Sequence, residues 1–342
     1  MTQVPKILLI YTGGTIGMIK DFETGALRNF NFDELLQHIP ELKLLDCEID
    51  TTSFESPIDS SNMNPAYWAQ IALLIKDNYT EFDGFVVLHG SDTMSYTASA
   101  LSFMLENLSK PVVFTGSQLP IGDLRTDAKE NLITSIQIAA LQEKGRSKIS
   151  EVCLYFEYKL YRANRTTKIN AEHFEAFDSL NYPALAESGV HLQINTSALY
   201  VPNRRKKFKV NTIMSNGVVL LKMFPGIDQA TIEHILGYKN LKGLILETYG
   251  SGNTTTEPWF TAALKEVLKK RIPVVNVTQC SGGSVAMGLY ETSTALKRMG
   301  VISGKDCTTE AALTKLMYLL GREISPGSFK TLFETSLRGE MS

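Results

Sequence analysis

The chain has 342 residues, 44% of them hydrophobic and 20% charged, a globular composition too long for one typical core, so two domains are expected. Thirty-four Lys and Arg against thirty-six Asp and Glu leave a formal charge of −2, which excludes a global field that would draw the protein to nucleic acid or an anionic membrane. Cys47, Cys153, Cys280 and Cys307 form no C-x-x-C pair and the five histidines no H-E-x-x-H, so no zinc site, disulfide framework or other metal centre is expected.

MTQVPKILLIY enters an apolar run without a leader-like start, so a mature N-terminus is expected. No stretch approaches the roughly 20 apolar residues that span a bilayer, which points to a soluble protein, and the scattered cysteines suit a reducing cytoplasm. In chain order, strands are predicted at 6–11, 84–89, 110–116 and 151–156, each a short β-branched run. Between them, apolar residues return at helical spacing over 64–79, 94–107 and 126–142, the first opened by Asn64-Pro65 as N-cap and N1.

This alternation predicts an α/β fold: residues 1–194 form a larger catalytic domain on a doubly wound, mostly parallel sheet of flavodoxin or Rossmann type. Residues 195–212, with Pro202 and the basic run 203–209, are expected to be a linker whose charges face solvent, with a nucleic-acid patch as the weaker alternative. Residues 213–342 resume with strands at 217–224, 243–250 and 272–278 and helices after Asp228 and over 257–270, a smaller α/β domain.

Ligands of open parallel sheets sit beyond the carboxyl ends of the strands. Thr12-Gly13-Gly14-Thr15-Ile16-Gly17 follows the first strand, with three glycines in five residues. It fits neither G-x-G-x-x-G nor a phosphate loop with G-K-[ST]; it offers Thr12 and Thr15 hydroxyls among exposed amides, the setting of a threonine nucleophile or simply a structural turn. His89-Gly90-Ser91-Asp92-Thr93-Met94 puts hydroxyls and a carboxylate at a helix start, and Asp59-Ser60-Ser61-Asn62-Met63-Asn64 does likewise; helix capping would explain either. Arg165-Thr166-Thr167-Lys168 adds a lysine after the 151–156 strand. Four such segments are expected at one sheet edge.

TGGTIG, DSSNMN, HGSDTM with Ser95-Tyr96-Thr97-Ala98 behind it, TGSQ at 115–118, RTTK, and TQC at 278–280 together resemble the bacterial cytoplasmic type I L-asparaginases, over almost the whole chain. The resemblance implies hydrolysis of L-asparagine to L-aspartate and ammonia without metal or organic cofactor, by a homodimer or homotetramer. It makes Thr15 the nucleophile that forms a β-aspartyl ester, and Ser91, Asp92 and Lys168 the group that relays protons, Asp92 also holding the substrate α-ammonium. Asp59, Ser60 and Ser61 match the loop that binds the amino-acid head group. The Ser117 carbonyl would take the amide nitrogen, and amides near Thr15 and Ser91 the oxyanion.

Three positions depart from the family pattern. Serine replaces the usual threonine at 91, losing the methyl that restricts χ1. Ala26 stands where a tyrosine usually activates the nucleophile, and no tyrosine occurs between 12 and 66. Tyr290 lies where some relatives donate a tyrosine from a neighbouring subunit, so the resemblance makes it the expected substitute, with a packed aromatic as the alternative. Thr167 and Cys280 match an activating asparagine site of some relatives, but Glu247 replaces its arginine, so activation is not expected. Three other readings stand beside asparagine hydrolysis. One is a dual asparaginase–glutaminase, since one methylene is worth only about 1–3 kcal/mol in a pocket. The others are a component of a tRNA-dependent amidotransferase, which carries an extra N-terminal domain, and a non-catalytic amino-acid-binding relative.

Overall fold

The computed structural model describes residues 4–20, 27–29, 39–288 and 291–342. It divides into two units, Met1–Thr212 and Ile213–Ser342.

The first unit is built on β1 (Lys6–Gly13), β2 (Glu48–Ile58), β3 (Gly84–Leu88), β4 (Val112–Thr115), β5 (Val152–Phe156), β6 (Lys159–Arg162), β7 (Ala186–Glu187) and β8 (Gln193–Ile194), in the spatial order β8-β7-β6-β5-β4-β3-β1-β2. From β2 to β5 all neighbours are parallel; β6, β7 and β8 extend the sheet antiparallel. The parallel part therefore reads 2-1-3-4-5, the flavodoxin order, and reverses direction between β1 and β3. Ile7, Leu9 and Tyr11 of β1 belong to one core cluster with Val86, Leu88, Leu132 and Ile136, and the alternate residues Leu8, Ile10, Phe85 and Val87 are buried as well. Burial on both faces explains why these strands read as continuous apolar runs.

Helices α1 (Pro65–Asn78), α2 (Met94–Met104) and α3 (Ala128–Ala140) follow β2, β3 and β4. Asn64 caps α1, its side chain accepting the Ala66 N–H at 2.9 Å with Pro65 at N1, as the sequence predicts. Residues 195–212 pack on this first unit: Lys209–Val210 pairs antiparallel with Leu105–Glu106, and the Phe208 ring stacks on Tyr79 with centroids 3.7 Å apart. β2 is not anticipated by the sequence. It is a half-exposed edge strand whose EIDTTSFESPI contains Pro57, tolerated there because an edge can spare a ladder hydrogen bond.

In the second unit β9 (Val218–Lys222), β10 (Gly243–Thr248), β11 (Val274–Thr278) and β12 (Ile302–Ser303) form a parallel sheet in simple sequential order. α4 (Gln229–Leu236) and α5 (Pro258–Lys269) contribute Ile232, Leu236, Phe260 and Leu264 to a core with Leu221, Leu244 and Val274. α6 (Glu291–Met299), α7 (Thr309–Leu320) and α8 (Pro326–Phe333) complete the unit. Asp228 caps α4 by accepting the Thr231 N–H at 2.8 Å.

Candidate active site

The reversal of strand order between β1 and β3 opens a crevice at their carboxyl ends, because their outgoing connections run to opposite sides. Three of the four segments singled out in the sequence meet there directly. Gly13 has φ +131°, and a Cβ on it would lie 2.1 Å from the Ile58 carbonyl oxygen at the end of β2. Gly14 has φ +92°, and its Cβ would lie 2.5 Å from the Gly90 amide nitrogen beyond β3. Both glycines are demanded by left-handed backbone and by close approach of neighbouring main chains. Gly90 in turn abuts Ser60, and Thr93 Oγ1 donates to the Ser60 carbonyl at 2.8 Å.

Thr12 and Thr15 take different parts. Thr12 is buried and its hydroxyl donates to the Leu88 carbonyl at 2.8 Å, locking the turn to β3. Thr15 opens the short 3-10 turn Thr15–Gly17 and is half-buried; its hydroxyl has no hydrogen-bond partner among the described residues. Among the described residues, therefore, the Thr12 hydroxyl is engaged and the Thr15 hydroxyl is not.

Ser91 and Asp92 begin a 3-10 turn that runs into α2, where the first amides lack intrahelical acceptors and can receive an anion. Neither side chain caps the helix. Lys168 reaches both instead, Nζ donating to Ser91 Oγ at 2.9 Å and to Asp92 Oδ1 at 2.8 Å. Lys168 is brought there by a small antiparallel pairing, Thr167–Lys168 with Phe177–Asp178, closed by Asn170 Oδ1 accepting the Glu172 and His173 amides at 2.9 Å each. The pair is lopsided in exposure, with the lysine side chain 18% and the aspartate 65% accessible, so the carboxylate faces solvent while the ammonium is largely enclosed.

At Asp59 the capping reading holds: its carboxylate accepts the Ser61 N–H at 2.8 Å, which holds its pKa below the ordinary value. Its side chain is still exposed, with Ser61 beside it and Ser60 buried beneath. Ser117 is buried, and its hydroxyl donates to the Leu119 carbonyl at 2.6 Å. Two further residues at this edge carry no role in the sequence reading. Gln118 accepts from Ser91 Oγ at 3.2 Å, and the TGSQ motif contains it without hinting why. His89 is fully buried; its Nδ1 donates to the Gly90 carbonyl at 2.7 Å, and burial pushes its pKa down to about 4, so the ring is neutral near pH 7.

Thr167 lies in the first unit beside Lys168. In the second unit Glu247 ends near the close of β10, accepting from Thr309 Oγ1 at 2.8 Å and pairing with Lys222 at 3.2 Å, and Cys280 is exposed after β11. Ala26 and Tyr290 lie outside the described residues. Among the described residues no group of three or more His, Cys, Asp and Glu is arranged to hold a metal ion, and no helix is long and apolar enough to cross a membrane.

Fold and site together define a two-unit α/β protein with hydroxyl, carboxylate and lysine groups at a flavodoxin-type switch point. A family model described as Asparaginase, N-terminal matches residues 6–200, and one described as Glutaminase/Asparaginase C-terminal domain matches residues 217–333. The chain belongs to the asparaginase family. It is 42% identical to L-asparaginase 1 of Escherichia coli, with 99% of each chain covered. The crystal structure of L-asparaginase I from Vibrio cholerae superposes with a TM-score of 0.89 at 42% identity, again over 99% of each chain. The thermostable L-asparaginase from Thermococcus kodakarensis superposes with a TM-score of 0.88 at 30% identity, over 98% of this chain and 99% of its own.

Proposed function

We propose that the protein is an amidohydrolase that converts L-asparagine to L-aspartate and ammonia through an acyl-enzyme on Thr15. The observation that carries this reading is the Lys168–Ser91–Asp92 group set beside the turn that holds Thr15, whose hydroxyl has no hydrogen-bond partner among the described residues. The relatives named L-asparaginase over the full length support it.

In this reading Thr15 Oγ attacks the side-chain amide carbon, the hydroxyl proton passes to the departing nitrogen, and the C–N bond breaks to release ammonia. The oxyanion is received by amides around Gly14, Gly90 and the start of α2, and the Ser117 carbonyl accepts from the substrate amide. Water then adds to the β-aspartyl ester; its proton moves through Ser91 Oγ to Lys168 and on to Thr15 as the ester bond breaks, freeing aspartate. Asp92, with Asp59, Ser60 and Ser61, holds the α-amino and α-carboxylate groups, the solvent-facing carboxylates taking the ammonium and the hydroxyls and amides the carboxylate.

The reading includes a cytoplasmic setting, supported by four unbridged cysteines, and a homodimer or homotetramer. Glu247 opposes a bound carboxylate, so asparagine is not an activator, and a sigmoidal rate curve would contradict this. The deciding experiment is ammonia release from L-asparagine by wild type and by Thr15→Ala. Wild type turns over and Thr15→Ala does not; a purified wild type that binds asparagine and releases no ammonia ends the enzyme reading.

A further inference from the structure

We propose that Gln118 is the positioning residue that joins Ser91 and Lys168 into one proton-relay unit, an inference that rests on the reaction proposed above. Its side-chain amide works at both ends. Oε1 accepts the Ser91 hydroxyl proton at 3.2 Å, while Nε2 donates to the carbonyls of Ala171 at 3.2 Å and His173 at 3.0 Å, in the loop directly after Lys168. Turning the amide over would set its oxygen against two carbonyl oxygens, so the arrangement fixes which end meets Ser91.

Two consequences follow from the chemistry of these groups. A serine hydroxyl has three staggered positions, and donors and acceptors on opposite sides select one. Lys168 donates to Ser91 Oγ and Gln118 accepts from it, so the hydroxyl proton rests on Gln118 while Lys168 carries its own protons. Rotation of the same O–H toward Nζ, as Nζ passes one of its protons to Asp92 Oδ1 2.8 Å away, starts the relay without moving a heavy atom. The second consequence is spatial: the same amide that holds the hydroxyl also holds the lysine's loop, so the distance between them is set by one side chain.

Gln118 is itself braced from beneath. The Asp127 carboxylate accepts the Gln118 N–H at 2.9 Å and the Leu119 N–H at 3.1 Å. Buried Asn131 donates to Asp127 Oδ2 at 3.2 Å and to the Gly116 carbonyl at 3.0 Å, and its own oxygen accepts the Glu157 N–H at 3.0 Å. The loop after β4 is thus pinned to α3 and to the β5–β6 turn, on elements of the sheet rather than on a free loop.

The test is a double-mutant cycle on asparagine hydrolysis with Gln118→Leu, Ser91→Ala and the pair. Gln118→Leu lowers kcat about tenfold to a hundredfold with KM changed less than about threefold, and in the pair the Gln118 change adds almost nothing to the Ser91→Ala loss. Gln118→Glu, which keeps an acceptor for Ser91 but loses both donors to the lysine's loop, falls between wild type and Gln118→Leu and serves if the leucine variant does not fold. A Gln118→Leu enzyme within about twofold of wild type, or losses that multiply in the pair, overturns the proposal and leaves the reaction standing. Wild-type protein that releases no ammonia overturns both.

Discussion

Both units lay parallel strands side by side, yet their carboxyl edges have become different things. In the first unit the order 2-1-3-4-5 reverses beside β1 and opens a crevice; in the second the described strands run in sequential order, with no reversal among them to open one. The side chains follow suit. At the second edge Thr248 Oγ1 donates to Asn276 Oδ1 at 2.7 Å, Asn276 Nδ2 to the Gly252 carbonyl at 3.0 Å, and Gln279 Nε2 to the Met223 and Glu247 carbonyls at 2.5 and 3.0 Å. Those polar groups are consumed in holding the fold.

Two lysines condense the difference. Lys315 is fully buried and spends its three protons on Glu340 at 2.5 Å and on the carbonyls of Phe333 and Thr335 at 2.6 and 2.7 Å, while Glu340 receives the Leu337 and Arg338 amides. Lys168 donates, among the described residues, to Ser91 and Asp92 and keeps some access to solvent. A lysine whose every proton is spoken for fastens the chain terminus; one with capacity in reserve can exchange a proton with a reacting group.

The largest expected effect separates the two directly. Thr15→Ala loses at least about a thousandfold in kcat and Lys168→Met about a hundredfold to ten-thousandfold in ammonia release, both with thermal midpoints close to wild type. If Lys168→Met instead kept its activity and lost its stability, the distinction would fail. Lys315→Met leaves Glu340 buried without its cation and costs about 3–5 kcal/mol, read as a midpoint lower by roughly 4–7 °C in thermal unfolding. Replacing Glu340 by Leu in that background recovers part of the loss, whereas a midpoint unmoved by Lys315→Met would show that the pair fastens nothing.

Glu157, on the β5–β6 turn, gives a smaller effect with a definite sign. Burial and the charges of Asp127, Glu130 and Glu175 push its pKa up to about 7, so the folded state holds a proton that the unfolded chain has lost. Its contribution is favourable relative to the unfolded chain's ionisation only at low pH. Stability falls as pH rises from about 4.5 through about 7 and is level above that. With screening by solvent allowed for, Glu157→Gln gains about 1–2 kcal/mol over wild type at about pH 8 and nothing at about pH 4, measured by denaturant unfolding at the two pH values. A gain equal at both would remove the proton from the explanation. The smallest effects are alike in the two units: Asn64→Ala and Thr308→Ala, which cap α1 and α7 by accepting the Ala66 and Ala311 amides, each cost about 1 kcal/mol. At the level of single helices the units obey the same rules.

The sequence by itself determined the parallel core, because β1, β3, β4 and β5 are buried on both faces and leave unbroken apolar runs, and it determined the helix starts where Asn64 and Asp228 announce them. It also placed Thr15, Ser91, Asp92 and Lys168 at strand ends, since local turn chemistry is written in Gly, Ser, Thr and Asp. The half-exposed edge strand β2 left no apolar signal, and the β5–β6 turn hid itself because Glu157 and Tyr158 occupy positive φ, 43° and 68°, where glycine or asparagine is the usual sign. Only the tertiary structure decided that Thr12 is spent on Leu88 while the Thr15 hydroxyl has no hydrogen-bond partner among the described residues. It alone decided that Lys168, 77 residues from Ser91, meets it at 2.9 Å, and that Gln118 stands between their segments. Those choices depend on strand order, and strand order is set by how whole faces pack rather than by any residue's neighbours in the chain.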